Sequence, residues 1–150
     1  MTTLEFTLEI AADIDSVFAF HCDVRNVRVV TPSFIPLRFT GAPERLIQGG
    51  RMTVGVFTLF RWTPWDVRVE TLRAPELLVD VQDGRGPFAS WRHEHRFRAA
   101  NGLTVMTDRI TYELPGGILG RSIDALFVRR LNTALFRYRH RRMLLHFRRP

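Results

Sequence analysis

The sequence contains no lysine, a single cysteine and no long apolar run, and two of these absences exclude whole classes of protein. With Cys22 alone, the chain cannot form an internal disulfide or a thiolate metal site, which favours a reducing compartment. No stretch approaches the roughly 18 apolar residues of a membrane span, and residues 1–10 lack the basic start of a signal peptide. We therefore predict a cytoplasmic protein. The use of arginine alone for all basic positions is a compositional bias that says little about function.

Positive charge is concentrated at the C-terminal end of the chain. The net charge is +7, and nine of the 22 basic residues lie at or beyond Arg121, where Asp124 is the only acid. A basic cluster can attract nucleic acid or an anionic membrane. On a helical wheel, however, these arginines spread around the helix, and the sequence has no groove-reading motif. We predict no specific nucleic-acid partner, whereas peripheral contact with an anionic membrane stays open.

The length and composition fit one globular domain that spans residues 1–150. The chain has 150 residues, 45% of them apolar, and no repeat or linker-like tract divides it. A domain of this size buries roughly 70% of the surface that its unfolded chain exposes. It can therefore enclose an interior pocket.

The stretch from Trp91 to Phe97 predicts a strand with an unusual buried face. Alternation places Trp91, His93, His95 and Phe97 on one face and the charged residues between them on the other. A strand with one buried and one solvated face has this two-residue period, yet two histidines are rare in an inert core. We therefore expect this face to line a cavity.

The following strand is predicted to bring a carboxylate to the same face. Asn101 and Gly102 predict a hairpin between the two strands. A two-residue turn places Asp108 opposite His95, whereas a four-residue loop places it opposite His93. Either register sets an inward carboxylate beside an inward histidine. The same face of the second strand carries three further residues, Met106, Ile110 and Tyr112.

The order of predicted elements indicates an α+β fold. A first strand over 3–11 precedes two short helices, the first capped by Asp13 or Asp15, the second ending before Pro32. Further strands are predicted near 37–40, 51–60, 65–72 and 77–83 and on either side of the hairpin turn. After Gly120 a helix of about seven turns completes the chain. We expect a curved seven-stranded antiparallel sheet wrapped around this long C-terminal helix.

The long helix carries two apolar lines on roughly opposite sides. We predict that the broader line faces the sheet; it comprises Ile123, Phe127, Leu131, Ala134, Tyr138 and Leu145. The narrower line would face outward as a homodimer or membrane contact, or be covered by arginine stems; it comprises Phe136, Met143 and Phe147.

Several short motifs accompany this order of elements. They are Gly86-Pro87-Phe88, Trp91, His93, His95 and Phe97, then Thr104, Met106, Asp108 and Tyr112, then Leu114-Pro115-Gly116 and Leu119-Gly120, and finally Phe136 and Tyr138-Arg139. Over its whole length the chain resembles the START-like, helix-grip superfamily, also called SRPBCC or polyketide cyclase/dehydrase-like, and in particular a bacterial subfamily of small ligand-binding proteins. The resemblance implies a cavity and no particular reaction, because the superfamily includes lipid carriers, hormone receptors, aromatase/cyclases and oxygenase domains. A single cysteine disfavours the oxygenase branch with its Rieske cluster.

Face alternation and the resemblance together predict a protein that binds a small hydrophobic or amphipathic ligand, such as a lipid, a polyketide-like molecule or an aromatic compound. Its apolar contacts would come from Trp91, Phe97, Met106, Ile110 and Tyr112. Its polar end would be held by His93, His95 and Asp108. The opposite wall would be formed by Phe127, Leu131, Ala134 and Tyr138 of the long helix.

Two alternatives use the same polar residues. In a cofactor-free cyclase, dehydratase or hydrolase, Asp108 would orient His93 or His95 as a general base, and Tyr112 would donate to a developing oxyanion. These groups could equally satisfy one another in a partly wet cavity. The two histidines and Asp108 could also hold iron or zinc, but the pattern is weak, and we predict neither a metal nor a cofactor. We expect His21 to be a helix-packing or surface residue.

Overall fold

The computed structural model describes residues 1–58 and 61–148 and has the predicted α+β architecture. Its strands are β1 Thr2–Ile10, β2 Leu37–Thr40, β3 Arg51–Thr58, β4 Arg61–Arg73, β5 Leu77–Gln82, β6 Ser90–Ala100 and β7 Leu103–Glu113. Its helices are α1 Ile14–Cys22, a 3-10 turn Val24–Asn26, α2 Val27–Val30, α3 Gly117–Ile123, a π turn Asp124–Val128 and α4 Arg129–Phe147. We call the continuous segment Gly117–Phe147 the terminal helix.

The seven strands form one curved antiparallel sheet in the order β1-β7-β6-β5-β4-β3-β2. The first strand therefore pairs with the last, and every other neighbour in the sheet is consecutive in sequence. The helix-grip prediction is confirmed, as are the two short helices after β1. The strand predicted over 51–60 is described as β3 from Arg51 to Thr58, and positions 59 and 60 lie outside the described residues.

The hairpin between β6 and β7 has the two-residue turn. Asn101 and Gly102 have φ angles of 51° and 77°, the left-handed conformation that such a turn requires and that asparagine and glycine tolerate best. The resulting register places His95 opposite Asp108 and His93 opposite Ile110. The carboxylate and the histidines therefore share the concave face.

The α1 helix begins where the sequence predicts a cap. Asp13 accepts hydrogen bonds from the backbone N–H of Ser16 at 2.8 Å and from its hydroxyl at 2.7 Å. The helix buries Val17, Phe18 and Phe20 against the sheet. Phe18 meets Phe97 of β6 edge to face, with ring centroids 5.5 Å apart. This contact closes the sheet at one end of the interior.

The start of the terminal helix is tied to the edge of the sheet. A Cβ at Gly120 would lie 2.3 Å from the carbonyl oxygen of Pro115, so only glycine allows this close approach. The π turn buries Asp124, which accepts hydrogen bonds from the Tyr112 hydroxyl at 2.6 Å and from the Thr2 hydroxyl at 2.5 Å. These bonds join the helix to both β1 and β7.

The predicted orientation of the terminal helix is wrong. The broader apolar line faces away from the sheet, and all its members are exposed: Ile123, Phe127, Leu131, Ala134, Tyr138 and Leu145. The face that packs on the sheet contains two apolar and two polar residues, Asn132, Phe136, His140 and Met143. A count of apolar residues favours the outer face, because such a count gives no weight to His140. The burial of His140 is stabilised by its hydrogen bond to the Asp108 carboxylate on β7.

No described helix is long and apolar enough to cross a membrane.

Candidate functional site

A cavity of about 210 Å³ lies among strands β2 to β7, the helices α1 and α2, and the terminal helix. Most of its wall is apolar, and strands β3 and β4 contribute six of these residues, Met52, Val54, Val56, Trp65, Val67 and Val69. The polar residues of the wall include a cluster that we call the polar end, with His21, Asp80, His93, His95, Asp108 and Arg139; Asp23, Asn26 and Thr31 also line the cavity. The interior therefore combines a mostly apolar body with a cluster of titratable groups.

The structure separates the predicted ligand-binding residues into three groups. Four of them line the cavity: Trp91, His93, His95 and Asp108. Four others are buried in the packed core and do not line it: Phe97, Met106, Ile110 and Tyr112. The four predicted wall residues are solvent-exposed on the far side of the terminal helix: Phe127, Leu131, Ala134 and Tyr138. The terminal helix instead contributes Leu135, Arg139 and Met143 to the cavity wall.

Asp108 is the centre of the polar end. Its Oδ1 accepts a hydrogen bond from His93 Nε2 at 3.2 Å, and its Oδ2 accepts one from His140 Nε2 at 2.5 Å. His95 Nδ1 also lies 2.5 Å from Oδ1, without the alignment of a hydrogen bond. Burial opposes ionisation of Asp108, but the charge interaction with His95 and the histidine hydrogen bonds outweigh it and hold the pKa well below its ordinary value. Asp108 is therefore a carboxylate surrounded by imidazole donors.

Burial disfavours protonation of three histidines that line the cavity. It lowers the pKa of His93 and of His95, and it lowers the pKa of His21 to about 3. Because His93 gives its Nε2 proton to Asp108, its Nδ1 carries a lone pair; because Nδ1 of His95 faces Asp108, its Nε2 carries one. These two lone pairs can accept a proton from a ligand or coordinate a cation.

Asp80 is a site residue that sequence reasoning missed. It lies on β5 directly opposite His93, and its Oδ2 is 3.6 Å from His93 Nδ1 and 4.0 Å from His95 Nε2. Its side chain is 22% exposed, and burial raises its pKa to about 6. Alternation along β5 pairs Asp80 with buried Leu78 on one face, and this pattern could have revealed it.

Two residues of the terminal helix were also missed. His140 bonds to Asp108, and Arg139 lines the cavity, with its guanidinium 5.3 Å from the centroid of the Phe136 ring. Burial lowers the pKa of Arg139, and the carboxylates of Asp108 and Asp80 oppose the shift. The spacing of His140 with Phe136 and Met143 places all three on one helical face, which could have revealed this side as the inner one.

Two further predictions on individual residues are corrected by the structure. Tyr112 does not face a ligand as an oxyanion donor, because its hydroxyl donates to Asp124 and burial raises its pKa to about 12. His21 is more than a packing residue, since it lines the cavity and its ring centroid lies 5.0 Å from that of His95. Its Nδ1 lies 2.7 Å from the Val17 carbonyl oxygen, which requires a proton on that nitrogen.

The sequence matches no protein-family model and no curated protein. Its structure, in contrast, is similar to several solved ones. A protein from Thermus thermophilus aligns with a TM-score of 0.74 at 16% identity, covering 97% of this chain and 99% of that one. A START superfamily protein from Mycobacterium smegmatis aligns with a TM-score of 0.72 at 10% identity, covering 97% and 96%.

A second Mycobacterium smegmatis protein aligns with a TM-score of 0.68 at 18% identity, covering 95% of this chain and 88% of that one. At such low identity these matches describe the architecture and leave the chemistry of the site to its own residues. The sheet order, the terminal helix and these alignments together show that this chain has the START-like, helix-grip fold.

Proposed function

We propose that this protein binds a compact amphipathic molecule, with an aromatic or short acyl body and a hydroxyl-bearing end, inside the cavity. The observation that supports this proposal is the cluster of histidines, carboxylates and Arg139 in a cavity whose wall is otherwise mostly apolar. A hydroxyl could donate to a lone pair of His93 or His95 and accept from Arg139. The apolar body would contact Val54, Val67 and their neighbours on β3 and β4.

The volume limits the size of the ligand. Pockets for drug-sized ligands measure about 300 to 1,000 Å³. This cavity, at about 210 Å³, is smaller. Among the ligand classes suggested by the sequence, it favours a hydroxylated aromatic molecule or a short acyl chain over a diacyl lipid.

The test compares two fluorescent probes, 2-naphthol and naphthalene, which differ by one hydroxyl. We expect 2-naphthol to bind more tightly by roughly fivefold, the value of about one net hydrogen bond. Val54→Phe should fill the cavity and abolish binding of both probes, since Val54 lines it. Val105→Phe is the matched control, because alternation places Val105 on the other face of β7. Failure of both probes to bind the wild type, or unchanged binding by Val54→Phe, contradicts the proposal.

We further propose that the outer face of the terminal helix docks on an anionic membrane surface. Phe127 and Leu131 are 68% and 67% exposed, an unusual display of large apolar side chains. Exposed Arg130, Arg137 and Arg141 follow one edge of this face at helical spacing. The only acid in the terminal helix is Asp124, and it is buried, so two copies paired through this face would oppose arginine with arginine. Anionic lipid complements both the charge and the apolar surface.

Vesicle flotation tests this docking. The wild type should float with phosphatidylglycerol-containing vesicles and not with phosphatidylcholine alone, and added salt should weaken the binding. Leu131→Asp should remove flotation, whereas Ile47→Asp should not, because Ile47 is similarly exposed but remote in the loop before β3. A dimer detected by light scattering and lost in Leu131→Asp would instead identify this face as a self-interface.

A further inference from the structure

Three potential ligand atoms converge at the polar end of the cavity. They are His93 Nδ1, His95 Nε2 and a carboxylate oxygen of Asp80, and they lie within 4.8 Å of one another. The residues come from adjacent strands, with Asp80 directly opposite His93 and His95 two positions along β6. The sheet itself therefore positions all three groups.

The orientation of the three groups sets three acceptor atoms against one another. His93 Nε2 donates to Asp108, and Nδ1 of His95 lies 2.5 Å from the same carboxylate, so protonation on the Asp108 side leaves lone pairs on the nitrogens that face Asp80. An ionised Asp80 is also acceptor-only. His93 Nδ1 lies 3.6 Å and His95 Nε2 lies 4.0 Å from Asp80 Oδ2. A single proton can bridge Asp80 to only one of these two nitrogens. One metal ion would satisfy all three acceptors at once.

The surroundings supply the second layer that histidine metal sites require. In such sites each ligating imidazole donates its other N–H to a carboxylate or carbonyl, which fixes the tautomer. Asp108 faces the second nitrogen of both His93 and His95, and His140 holds Asp108 from the terminal helix. The same carboxylate therefore orients both rings towards Asp80.

The side chains around the cluster also suit a cation. Two carboxylates, Asp80 and Asp108, lie within 4.0 Å of the two imidazoles, and Arg139 lines the same cavity. A hydroxyl or carboxylate of a bound ligand, or hydroxide, could then complete the coordination from the cavity side.

The distances are compatible with coordination after a small contraction. Ligands at about 2.1 Å from a tetrahedral zinc ion are roughly 3.4 Å apart. The two distances to Asp80 need to shorten by about 0.2 and 0.6 Å, and the two nitrogens lie within 4.8 Å of each other. Two imidazoles and one carboxylate favour zinc or ferrous iron over magnesium or calcium, which prefer all-oxygen ligand sets.

We propose that Asp80, His93 and His95 bind one divalent transition-metal ion, Zn²⁺ or Fe²⁺, at the polar end of the cavity, with Asp108 as the positioning carboxylate. The site leaves a coordination position open towards the cavity. Metal binding requires no organic ligand, so it can be measured separately from the proposed function. With the ion bound, a ligand hydroxyl would coordinate the ion instead of donating to a histidine lone pair.

Calorimetric titration of chelator-treated protein with Zn²⁺ tests the site directly. We expect one ion per chain. Asp80→Asn should weaken binding by more than about a hundredfold because it removes a ligand charge at nearly constant shape, and Asp108→Asn by about 10- to 100-fold. His146→Gln should leave binding unchanged, since His146 is an exposed histidine at the end of the terminal helix. Thermal unfolding of each metal-free variant checks that it is folded.

Cobalt substitution gives a second measurement that needs no variant. Co²⁺ bound to His93 and His95 should produce visible ligand-field absorption and shift the proton resonances of those two rings. Zn²⁺ should displace Co²⁺ and remove both effects. The proposal is overturned if the wild type binds no metal, if Asp80→Asn binds as tightly as the wild type, or if the shifted resonances belong to His146.

Discussion

His140 on the terminal helix donates a hydrogen bond to Asp108 on β7, with Nε2 and Oδ2 2.5 Å apart, in a contact between residues 32 positions apart in the chain. Both side chains are buried. This bond joins the inner face of the helix to the strand that presents the polar end of the cavity. It therefore fixes the helix orientation and the position of the Asp108 carboxylate together.

Replacement of His140 should destabilise the fold. In His140→Ala, Asp108 loses one charged hydrogen bond in a buried site, so we expect the free energy of unfolding to fall by about 2 to 3 kcal/mol. Urea denaturation followed by circular dichroism measures this loss. His146→Ala on the exposed side of the same helix should change the free energy of unfolding by less than about 0.5 kcal/mol. Equal effects of the two substitutions would argue against the helix orientation.

The two apolar lines of the terminal helix should respond differently to truncation. Phe136 is 1% exposed, and its ring stacks on that of Phe6 with centroids 5.7 Å apart. Phe136→Ala should therefore cost about 3 to 5 kcal/mol of unfolding free energy. Leu131→Ala, at an exposed site, should cost less than about 0.5 kcal/mol. The reverse ranking in urea denaturation would show that the broader line packs on the sheet.

Acid should weaken one contact outside the cavity. Hydrogen bonds from the side chain of Arg85 and from Thr53 lower the pKa of Asp66 from 3.8 to about 2. Its contribution to stability is therefore complete above pH 3.8 and is lost as the pH falls towards 2, because the unfolded chain takes up the proton first. Asp66→Asn should reduce the acid dependence of unfolding in this window. Glu9→Gln, at an exposed position of β1, is the control and should leave it unchanged.

Asp108→Asn separates ligand binding from acid–base catalysis. A binding protein should keep its affinity for 2-naphthol within about fivefold, since Asp108 contacts the histidines and an amide retains part of their hydrogen bonding. Probe titration measures this affinity. Asp124→Asn provides a buried carboxylate control that does not line the cavity. If the wild type catalysed a reaction that Asp108→Asn did not, and the variant still bound the probe, the protein would instead be a cofactor-free enzyme.

Alternation in the sequence was sufficient to predict the hairpin and its inward groups. His93, His95 and Asp108 share a face because side chains alternate with a period of two, and Asn101-Gly102 determines the turn. Alternation and turn residues are local features and do not depend on the neighbouring strands. The antiparallel sheet could be predicted for the same reason, since each strand carries its own alternation and is followed by its own turn residues.

The helix face could not be decided in the same way. A helical wheel shows two apolar lines, and counting favours the one with Leu131, whereas the structure buries the one with His140. The burial of His140 depends on a partner 32 residues earlier, which no window of the helix sequence contains. Tertiary contact therefore overrides the local hydrophobic pattern.

The sequence by itself determined the fold class and the presence of histidines beside a carboxylate, because strand alternation and turn signals are short-range patterns. Only the tertiary structure decided which of the two hairpin registers forms, that Asp80 from β5 and Arg139 from the terminal helix join the histidines, and that β3 and β4 contribute to the cavity wall. The physical reason is that strand pairing and helix orientation bring distant side chains together through contacts that local periodicity does not encode.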